Sequence, residues 1–312
     1  MENQNNVTEF VLLGLSINQE LKIVCIIIFL FCYFAIFLGN FIIIITITFS
    51  HLNQQPMYYF LCHLSMMDLA YTSTVFPRLI RDLIAKEKTI SFNCCMTQLF
   101  AGHFLAAVET CILVFMAFDR YVAICKPLYY MMIMNRQRCN TMVLMSWVVA
   151  FLHAIVQMFM VVRLPFCGPN QIDHYICDFK PLLNLVCADT HIAGILVIAN
   201  SGMIVLTTFL VLVASYIVIL YSLRNHSSEG RRKALSTCGS HVTVVVLFFV
   251  PCISTYIRPP SASKNDKEFS MFYTVVGPVL NPLIYTLRNS EMKNAMQKVW
   301  SKNIIFDKKD GF

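Results

Sequence analysis

The sequence predicts an all-α membrane protein in which seven transmembrane helices form one bundle and a short amphipathic helix follows them. Two observations carry this prediction. Of 312 residues, 57% are hydrophobic and 13% are charged, whereas about a quarter are charged in typical soluble domains. The apolar residues also gather in runs close to the roughly 20 residues that cross a bilayer. This composition excludes a water-soluble enzyme and a disordered chain.

Seven apolar stretches follow one another along the chain when it is read in windows of about 19 residues. They are Ile23–Phe49, Tyr58–Ile80, Met96–Cys125, Met142–Val162, Ile192–Leu223, Val242–Ile257 and Met271–Leu287. The last two are short and contain Pro251 and Pro282, which are expected to kink them. We therefore expect a single domain, with an extracellular N-terminus at 1–22, the bundle at 23–288 and a cytoplasmic tail at 289–312.

The positions of lysine and arginine orient the predicted bundle. With the N-terminus outside, fourteen of the 24 basic residues fall in inner segments, and the net charge is +9 inside and 0 outside. The sequon at Asn6 agrees, because N-linked glycans are found on the outer side, although a second sequon at Asn225 falls inside. The first residues lack the pattern of a cleavable signal peptide, so the first helix is expected to direct insertion.

The loop between the fourth and fifth stretches contains three of the thirteen cysteines. Cys94 and Cys95 begin the third helix on the same outer side, where thiols oxidise. The sequence does not determine connectivity. The bridges that we expect are Cys95–Cys177 and Cys167–Cys187, which leaves Cys94 free.

His174 and Cys177 offer an alternative use of this loop, because imidazole and thiolate at this spacing could share a soft metal ion. A sulfur that is bonded to Cys95 cannot also serve as a thiolate ligand. We therefore favour a structural role and expect no metal here.

The C-terminal segment Glu291–Trp300 has helical amphipathicity. Met292, Ala295, Met296 and Val299 fall on one side, and Lys293 and Lys298 on the other. Such a helix is expected to lie along the inner membrane surface.

Several motifs lie in and beside the apolar stretches. They are Pro56–Leu61, Leu64–Asp68, Met116–Cys125, Ser215-Tyr216, Lys233–His241 and Pro278–Tyr285. In this order and spacing the chain resembles the rhodopsin-like G-protein-coupled receptors and, within them, the olfactory receptors. Phe118 stands where that family usually has tyrosine, and Leu235 where it usually has phenylalanine.

The resemblance implies a switch at the inner end of the bundle. Arg120 is too costly to leave unpaired in apolar surroundings, so in the resting state we expect it to pair with Asp119. Outward movement of the sixth helix would free Arg120 to meet the C-terminal helix of a heterotrimeric G protein. The residues assigned to this switch are Asp119, Arg120, Tyr121, Tyr216, His241, Asn281, Pro282 and Tyr285. The basic inner segments suit anionic lipid as well as the G protein.

The resemblance also implies a polar cavity at mid-membrane. Asn40, Asp68 and Glu109 are expected to face it together with Asn281. A sodium ion could bind there, or the two acids could share a proton, because neighbouring carboxylates rarely both ionise. No other cofactor is expected.

The ligand that the resemblance implies is a small, mostly apolar volatile odorant, bound in the outer half of the bundle between the third, fifth, sixth and seventh helices. The residues expected to line this site are His103, Phe104, Ala107, Val108, Cys111, Asn200, Ser201, Ile204, Cys252, Thr255, Tyr256, Met271 and Thr274. Gly102 occupies the position where aminergic relatives carry a carboxylate, which disfavours a cationic amine. The seventh stretch contains no lysine, which excludes bound retinal.

The partners implied are this odorant, membrane lipid and a G protein of the stimulatory, olfactory type that raises cyclic AMP. No nucleic acid is expected. The location implied is the plasma membrane of olfactory sensory cilia. A transporter is disfavoured because the halves of the chain show no internal repeat, a channel because two buried acids are too few to line a pore, and an intramembrane enzyme because the chain lacks hydrolase and metalloprotease motifs.

Overall fold

The computed structural model describes residues 7–15, 19–167, 170–224, 227–257, 266–287 and 289–301. Within these ranges the elements are β1 (Glu9–Leu12), α1 (Gln19–Thr48), α2 (Pro56–Ile84), β2 (Thr89–Ser91), α3 (Phe92–Cys125), α4 (Tyr130–Ile133), α5 (Arg136–Val162), β3 (Gln171–Ile172), α6 (Phe179–Leu183), α7 (His191–Leu223), α8 (Ser228–Ile257), α9 (Asp266–Leu287) and α10 (Ser290–Ser301). Short 3₁₀ helices cover His51–Gln54 and Pro127–Tyr129. Asn6, the predicted glycosylation site, and residues 302–312 of the predicted tail lie outside these ranges.

The long helices form one bundle around α3. This helix packs against α2, α5, α7 and α8, while α9 packs against α1, α2 and α8. Leucine, isoleucine, valine and methionine side chains from these helices form a common core, which includes the fully buried Ile112, Leu113 and Met116 of α3. Burial of apolar area stabilises such a core by about 25 cal/mol per Å².

The surface of the bundle is apolar as well as its core. Phe31 of α1, Leu144 of α5 and Met203 of α7 are 73%, 63% and 71% exposed. So much exposed apolar surface is unfavourable in water and suits contact with lipid chains.

The described helices differ from the predicted crossings in how apolar they are. Four of them are long and apolar enough to cross a membrane by length and composition, over Glu20–Thr48, Phe92–Cys125, Arg136–Val162 and His191–Leu223. The other three long helices are more polar than expected. α2 carries Arg78, Arg81 and Asp82 near its end, α8 is apolar mainly over His241–Ser254, and α9 begins with charged residues at Asp266.

The helix boundaries also correct the predicted ones. α1 begins at Gln19 instead of residue 23, and α8 begins at Ser228, well before the predicted Val242. The apolar stretch measures only the part of a helix that suits hydrocarbon, whereas backbone hydrogen bonds extend the helix into polar sequence. Pro77, Pro251, Pro278 and Pro282 all lie inside helices.

Side-chain caps determine where several helices begin. Ser91 Oγ accepts the Cys94 N–H at 3.3 Å at the start of α3, and Asn135 Oδ1 accepts the Arg138 N–H at 2.9 Å at the start of α5. Asn289 Oδ1 accepts the N–H groups of Glu291 and Met292 at the start of α10. Each cap satisfies a donor that would otherwise lack a partner.

One end of the bundle carries a small sheet, so the expectation of an all-α chain is wrong for this part. β1 is the central strand, pairing antiparallel with β2 and parallel with β3. Phe10 of β1 is fully buried, with its ring 5.6 Å from that of Phe166 and 5.9 Å from that of Phe92. We call this the cap end, and the end with Asp119 and Arg120 the opposite end. Strands of two to four residues leave too short a pattern to be recognised in the sequence.

Candidate functional site

A cavity of about 130 Å³ lies inside the bundle next to the cap end. Its wall comes from α2, α3, α5, α7 and α8, from the start of α6 and from the loop that precedes α6. The lining residues are Tyr71, Thr74, Val75, Gln98, Leu99, Gly102, His103, Ala106, Ala107, Thr110, His153, Ile176, Cys177, Asp178, Phe179, Lys180, Val197, Ile198, Ser201, Ile204, Val205, Phe248 and Cys252. This arrangement suits a small guest that is mainly apolar and makes a few polar contacts.

The structure brings part of the predicted ligand set to this cavity. Those at the cavity are His103, Ala107, Ser201, Ile204 and Cys252, whereas Phe104, Val108, Cys111, Asn200, Met271 and Thr274 are absent from its wall. The side chains of Thr255 and Tyr256 lie outside the described part of the chain.

The orientation of α3 explains why Phe104, Val108 and Cys111 are absent from the wall. Residues 99, 102, 103, 106, 107 and 110 line the cavity, so its face is turned about one residue from the predicted one. Phe104 instead packs on Phe100 and Trp147, with ring centroids 5.9 and 5.7 Å away. Val108 is fully buried in the common core.

The predicted contributions of the seventh helix are displaced by the loop before α6. The Tyr175 hydroxyl bonds Ser270 at 2.8 Å and Thr274 at 3.3 Å, and Met271 packs on the cluster that contains Tyr175. Thr274 also bonds the hydroxyl of Tyr71, a wall residue, at 3.3 Å. Tyr175 therefore occupies the side of α9 that was expected to face the ligand. On α7, Asn200 Nδ2 donates to the backbone oxygen of His153 at 3.5 Å.

Several wall residues were not predicted, and they include Tyr71, Thr74 and Val75 of α2 together with two further features, a loop and a histidine. The first is the loop around Cys177, which the predicted bridge to α3 could have indicated, since that bridge holds its neighbours over the bundle. The second is His153. An imidazole within an apolar stretch is itself a sign of a functional site in a membrane protein. The ring centroids of His153 and His103 are 6.0 Å apart, and His103 Nε2 lies 3.8 Å from Asp178 Oδ1.

The two expected bridges are present. Cys95 pairs with Cys177, and Cys167 with Cys187, while Cys94 is free and exposed. Gln98 Oε1 also accepts the Cys177 N–H at 3.0 Å. The loop is thereby attached to α3 at the edge of the cavity.

His174 makes its hydrogen bond within this loop. Its Nδ1 accepts the Ile176 N–H at 3.2 Å, and burial holds the pKa of the imidazole below its usual 6.5. Among the residues that the structure describes, no three of His, Cys, Asp and Glu converge as metal ligands.

At the opposite end, Arg120 and Asp119 form an ion pair. Arg120 Nε donates to Asp119 Oδ2 at 3.0 Å, and the Tyr130 hydroxyl donates to Asp119 Oδ1 at 2.7 Å. Burial, and to a lesser extent the negative charge of Asp119, raises the pKa of the Tyr130 hydroxyl. Nearby, the side chains of Tyr216 and His241 form a hydrogen bond with each other. Arg120 is thus held within its own helix.

Three other members of the predicted switch are Tyr121, Tyr285 and Pro282. The rings of Tyr121 and Phe118 lie 6.2 Å apart. Tyr285 is buried, and within the described chain its hydroxyl has no partner. Pro282 lies against Gly39 of α1, where an added Cβ would come within 2.9 Å of the proline ring.

The buried acids meet at the middle of the bundle. Asn281 Nδ2 donates to Asp68 Oδ2 at 3.0 Å and also interacts with the Glu109 carboxyl. Asp68 Oδ1 is buried and, among the described residues, without a partner. Asn40, also expected at this cavity, bonds to backbone oxygens instead, because its Nδ2 donates to Ile36 O at 3.1 Å and to Pro278 O at 3.5 Å. A shared proton fits this cluster, and so does a small cation.

Comparison with known proteins gives one consistent result. The family model described as "Olfactory receptor" matches residues 29–303. Human Olfactory receptor 4S2 is 55% identical over 99% of this chain and 99% of its own length. Mouse Olfactory receptor 4B13 is 53% identical over 97% and 99%, and human Olfactory receptor 4B1 is 51% identical over 97% and 98%.

Proposed function

The chain belongs to the olfactory receptor family, and on that premise we propose that its cavity binds small, mostly apolar volatile molecules. Binding activates a heterotrimeric G protein of the stimulatory, olfactory type, which raises cyclic AMP. Membership makes it an odorant-sensing G-protein-coupled receptor in a membrane, for which the family implies a bundle of seven crossing helices. The type of G protein, the second messenger and the chemistry of the ligand are our proposal.

The cavity next to the cap end is the observation that carries this proposal. Its volume of about 130 Å³ suits a small molecule. Leu99, Ala107, Ile204 and Phe248 supply apolar wall, and burial of apolar ligand surface contributes about 25 cal/mol per Å². The imidazoles of His103 and His153 and the hydroxyl of Ser201 offer the few polar contacts that orient a ligand.

The signal must reach the opposite end, where Arg120 is paired with Asp119. We propose that a bound odorant favours a second arrangement of the bundle in which α8 moves away from α3. Arg120 then leaves Asp119 and meets the G protein, while Tyr216, His241 and Tyr285 rearrange around it. A ligand can shift this equilibrium only by its difference in affinity for the two arrangements.

The Asp68 and Glu109 pair is proposed to bias the same equilibrium, through a shared proton or through a sodium ion held between the carboxylates. Replacing Glu109 with Gln keeps the shape and removes the carboxyl group that can share a proton or bind a cation. We expect normal surface expression and altered basal cyclic AMP. Unaltered basal signalling would exclude this role, and dependence on external sodium in the unaltered receptor would favour the ion.

The family membership also supports a proposed placement in the cell. The domain is one unit, with 1–22 outside, the bundle over about 23–288 and the tail at 289–312 inside. We propose the plasma membrane of olfactory cilia as the location and Asn6 as a glycosylation site. α10 has Met292, Ala295 and Val299 buried on one face, which suits a helix that lies along the inner leaflet.

The decisive experiment exposes cells that make the full chain to a panel of volatile compounds and measures cyclic AMP. We expect responses in these cells and none in cells that make the Arg120→Gln variant at equal surface density. A panel without any response, despite receptor at the surface, contradicts the proposal. So does a response that persists in the Arg120→Gln variant.

A further inference from the structure

Gln157 of α5 and Ser201 of α7 form a buried polar pair beside the cavity. Each is 1% exposed, and Ser201 lines the cavity whereas Gln157 does not. Gln157 Nε2 donates to Ser201 Oγ and also to the backbone oxygen of Val197 at 3.4 Å. Val197 O can only accept, so this second bond determines which end of the amide faces α7. The amide N–H is thus directed at the Ser201 oxygen.

This arrangement leaves Ser201 with a proton to donate. A serine or threonine inside a helix usually gives its hydroxyl proton to the carbonyl four residues earlier. Thr110, Thr208 and Thr243 do so here, at 2.7, 2.6 and 2.7 Å. Ser201 differs, because none of the described residues accepts its hydroxyl proton.

The other hydroxyl and amide groups of the wall are engaged inside the protein. Thr74 donates to Tyr71 O at 2.7 Å and Thr110 to its own helix, and the Tyr71 hydroxyl shares a bond with Thr274. Gln98 donates to Thr74 O at 3.2 Å and accepts from Cys177. Among the wall residues that the structure describes, Ser201 therefore carries a hydroxyl that accepts a hydrogen bond and gives its own proton to none of them.

We propose that Gln157 positions Ser201 as a hydrogen-bond donor to the ligand, so that the cavity selects volatile molecules with a carbonyl oxygen over hydrocarbons of the same shape. This inference rests on the proposed function and narrows its ligand class to aldehydes and ketones. A carbonyl oxygen accepts without donating, which matches a wall that offers a proton at this point. Gln157 acts through Ser201 and is a positioning residue.

The alternative use of the pair is purely structural, as a hydrogen bond that joins α5 to α7 within the membrane. The two roles differ in what they do to ligand preference. Loss of a structural bond lowers the response to every ligand alike. Loss of a positioned donor lowers the response to carbonyl compounds and spares hydrocarbons.

The experiment compares straight-chain aldehydes and ketones with alkanes of equal length on cells that make the full chain. In the unaltered receptor we expect the carbonyl compounds to act at lower concentrations. Ser201→Ala should raise their half-maximal concentration by about 2- to 12-fold, the range for one net hydrogen bond. Gln157→Met, which keeps the side-chain length, should do the same, because Ser201 then bonds its own helix.

Three further variants complete the test. The double variant Gln157→Met with Ser201→Ala should be no worse than either single change, because both remove the same bond. Ser201→Thr should retain the carbonyl preference. Ser146→Ala is the matched control, since Ser146 is equally buried and donates to Met142 O at 3.1 Å in its own helix.

Equal potency of alkanes and carbonyl compounds on the unaltered receptor overturns the inference, as does an equal loss for both classes in the variants. If a variant does not reach the cell surface, the inference is decided by whether the unaltered receptor prefers carbonyl compounds to alkanes. A response to other volatiles with none to carbonyl compounds refutes this inference and leaves the proposed function standing. Silence toward every class refutes the proposed function itself.

Discussion

Asp119 illustrates how much depends on one side chain. One of its oxygens accepts from Arg120 and the other from Tyr130, and the carboxylate is fully buried. A buried charge is stable only when paired and hydrogen-bonded, so the three groups support one another. Any arrangement that releases Arg120 must give Asp119 a new partner in its place.

His174 provides a prediction at the residue scale. Burial lowers the pKa of the imidazole, so the folded chain favours the neutral form that accepts from Ile176. Its stabilisation is complete above the usual pKa of 6.5 and is lost as the pH falls below that value. We expect the melting temperature of the purified receptor to fall on acidification from about pH 7.5 to 5.5. Asp178 and Asp173 oppose this shift, and Lys267 reinforces it.

The variant His174→Asn tests this assignment, because the amide oxygen replaces Nδ1 as acceptor and does not titrate. Its melting temperature should change less over the same pH range. His51→Asn is the control, since His51 is exposed, and it should retain the dependence of the unaltered receptor. The assignment fails if His174→Asn is as sensitive to acid as the starting chain.

At the scale of elements, the contact between α1 and α9 gives a second prediction. Gly39 faces Pro282, and an added Cβ would lie 2.9 Å from one ring carbon and 3.1 Å from another. A proline ring is rigid and has no other rotamer to adopt, so Gly39→Ala must push α1 and α9 apart. Overpacking of this kind costs about 1–3 kcal/mol, and we expect a lower melting temperature.

Gly202→Ala is the matched control, because an added Cβ there meets nothing within 4 Å. Alanine also favours a helix over glycine by about 1 kcal/mol, so this change should leave stability equal or higher. Equal melting temperatures for the two variants would show that α1 and α9 tolerate the added carbon.

The elements themselves could be predicted better than their orientation. Seven apolar stretches predicted helices, and each contributes to a helix of the structure, since helical hydrogen bonds are local. The rotation of α3 was not predicted, because a helix that is apolar on several faces has no unique inner side. His103 and Ala107 therefore reached the cavity while Phe104 and Val108 did not.

For the whole molecule, the cap end determines how the cavity is covered. β1 joins the two loops that contain β2 and β3 into one sheet, and the bridge Cys95–Cys177 holds the second loop to α3. Lys267 of α9 pairs with Asp173 of the same loop. Four distant parts of the chain thus meet over the proposed ligand.

Removal of the bridge is the prediction at this scale. Replacing Cys95 and Cys177 together with serine should destabilise the folded receptor by about 2–4 kcal/mol and weaken the response to odorants, because the loop residues Ile176 and Asp178 line the cavity. Cys94→Ser should change neither property, since Cys94 is free and exposed. Surface labelling, thermal denaturation and cyclic AMP measure the effects. A bridgeless receptor with unaltered stability and dose response would contradict this role.

The sequence by itself determined the class of the molecule. Long apolar runs allow only helices or closed barrels in a bilayer, because backbone groups there find no water. The three loop cysteines and Cys95, on the same predicted outer side, led us to expect the two bridges. Only the tertiary structure decided which side chains meet. Gln157 and Ser201 are 44 residues apart, Tyr175 covers α9, and β1 pairs with two loops. Such contacts depend on how each helix turns and how closely its neighbours pack, which no local pattern encodes.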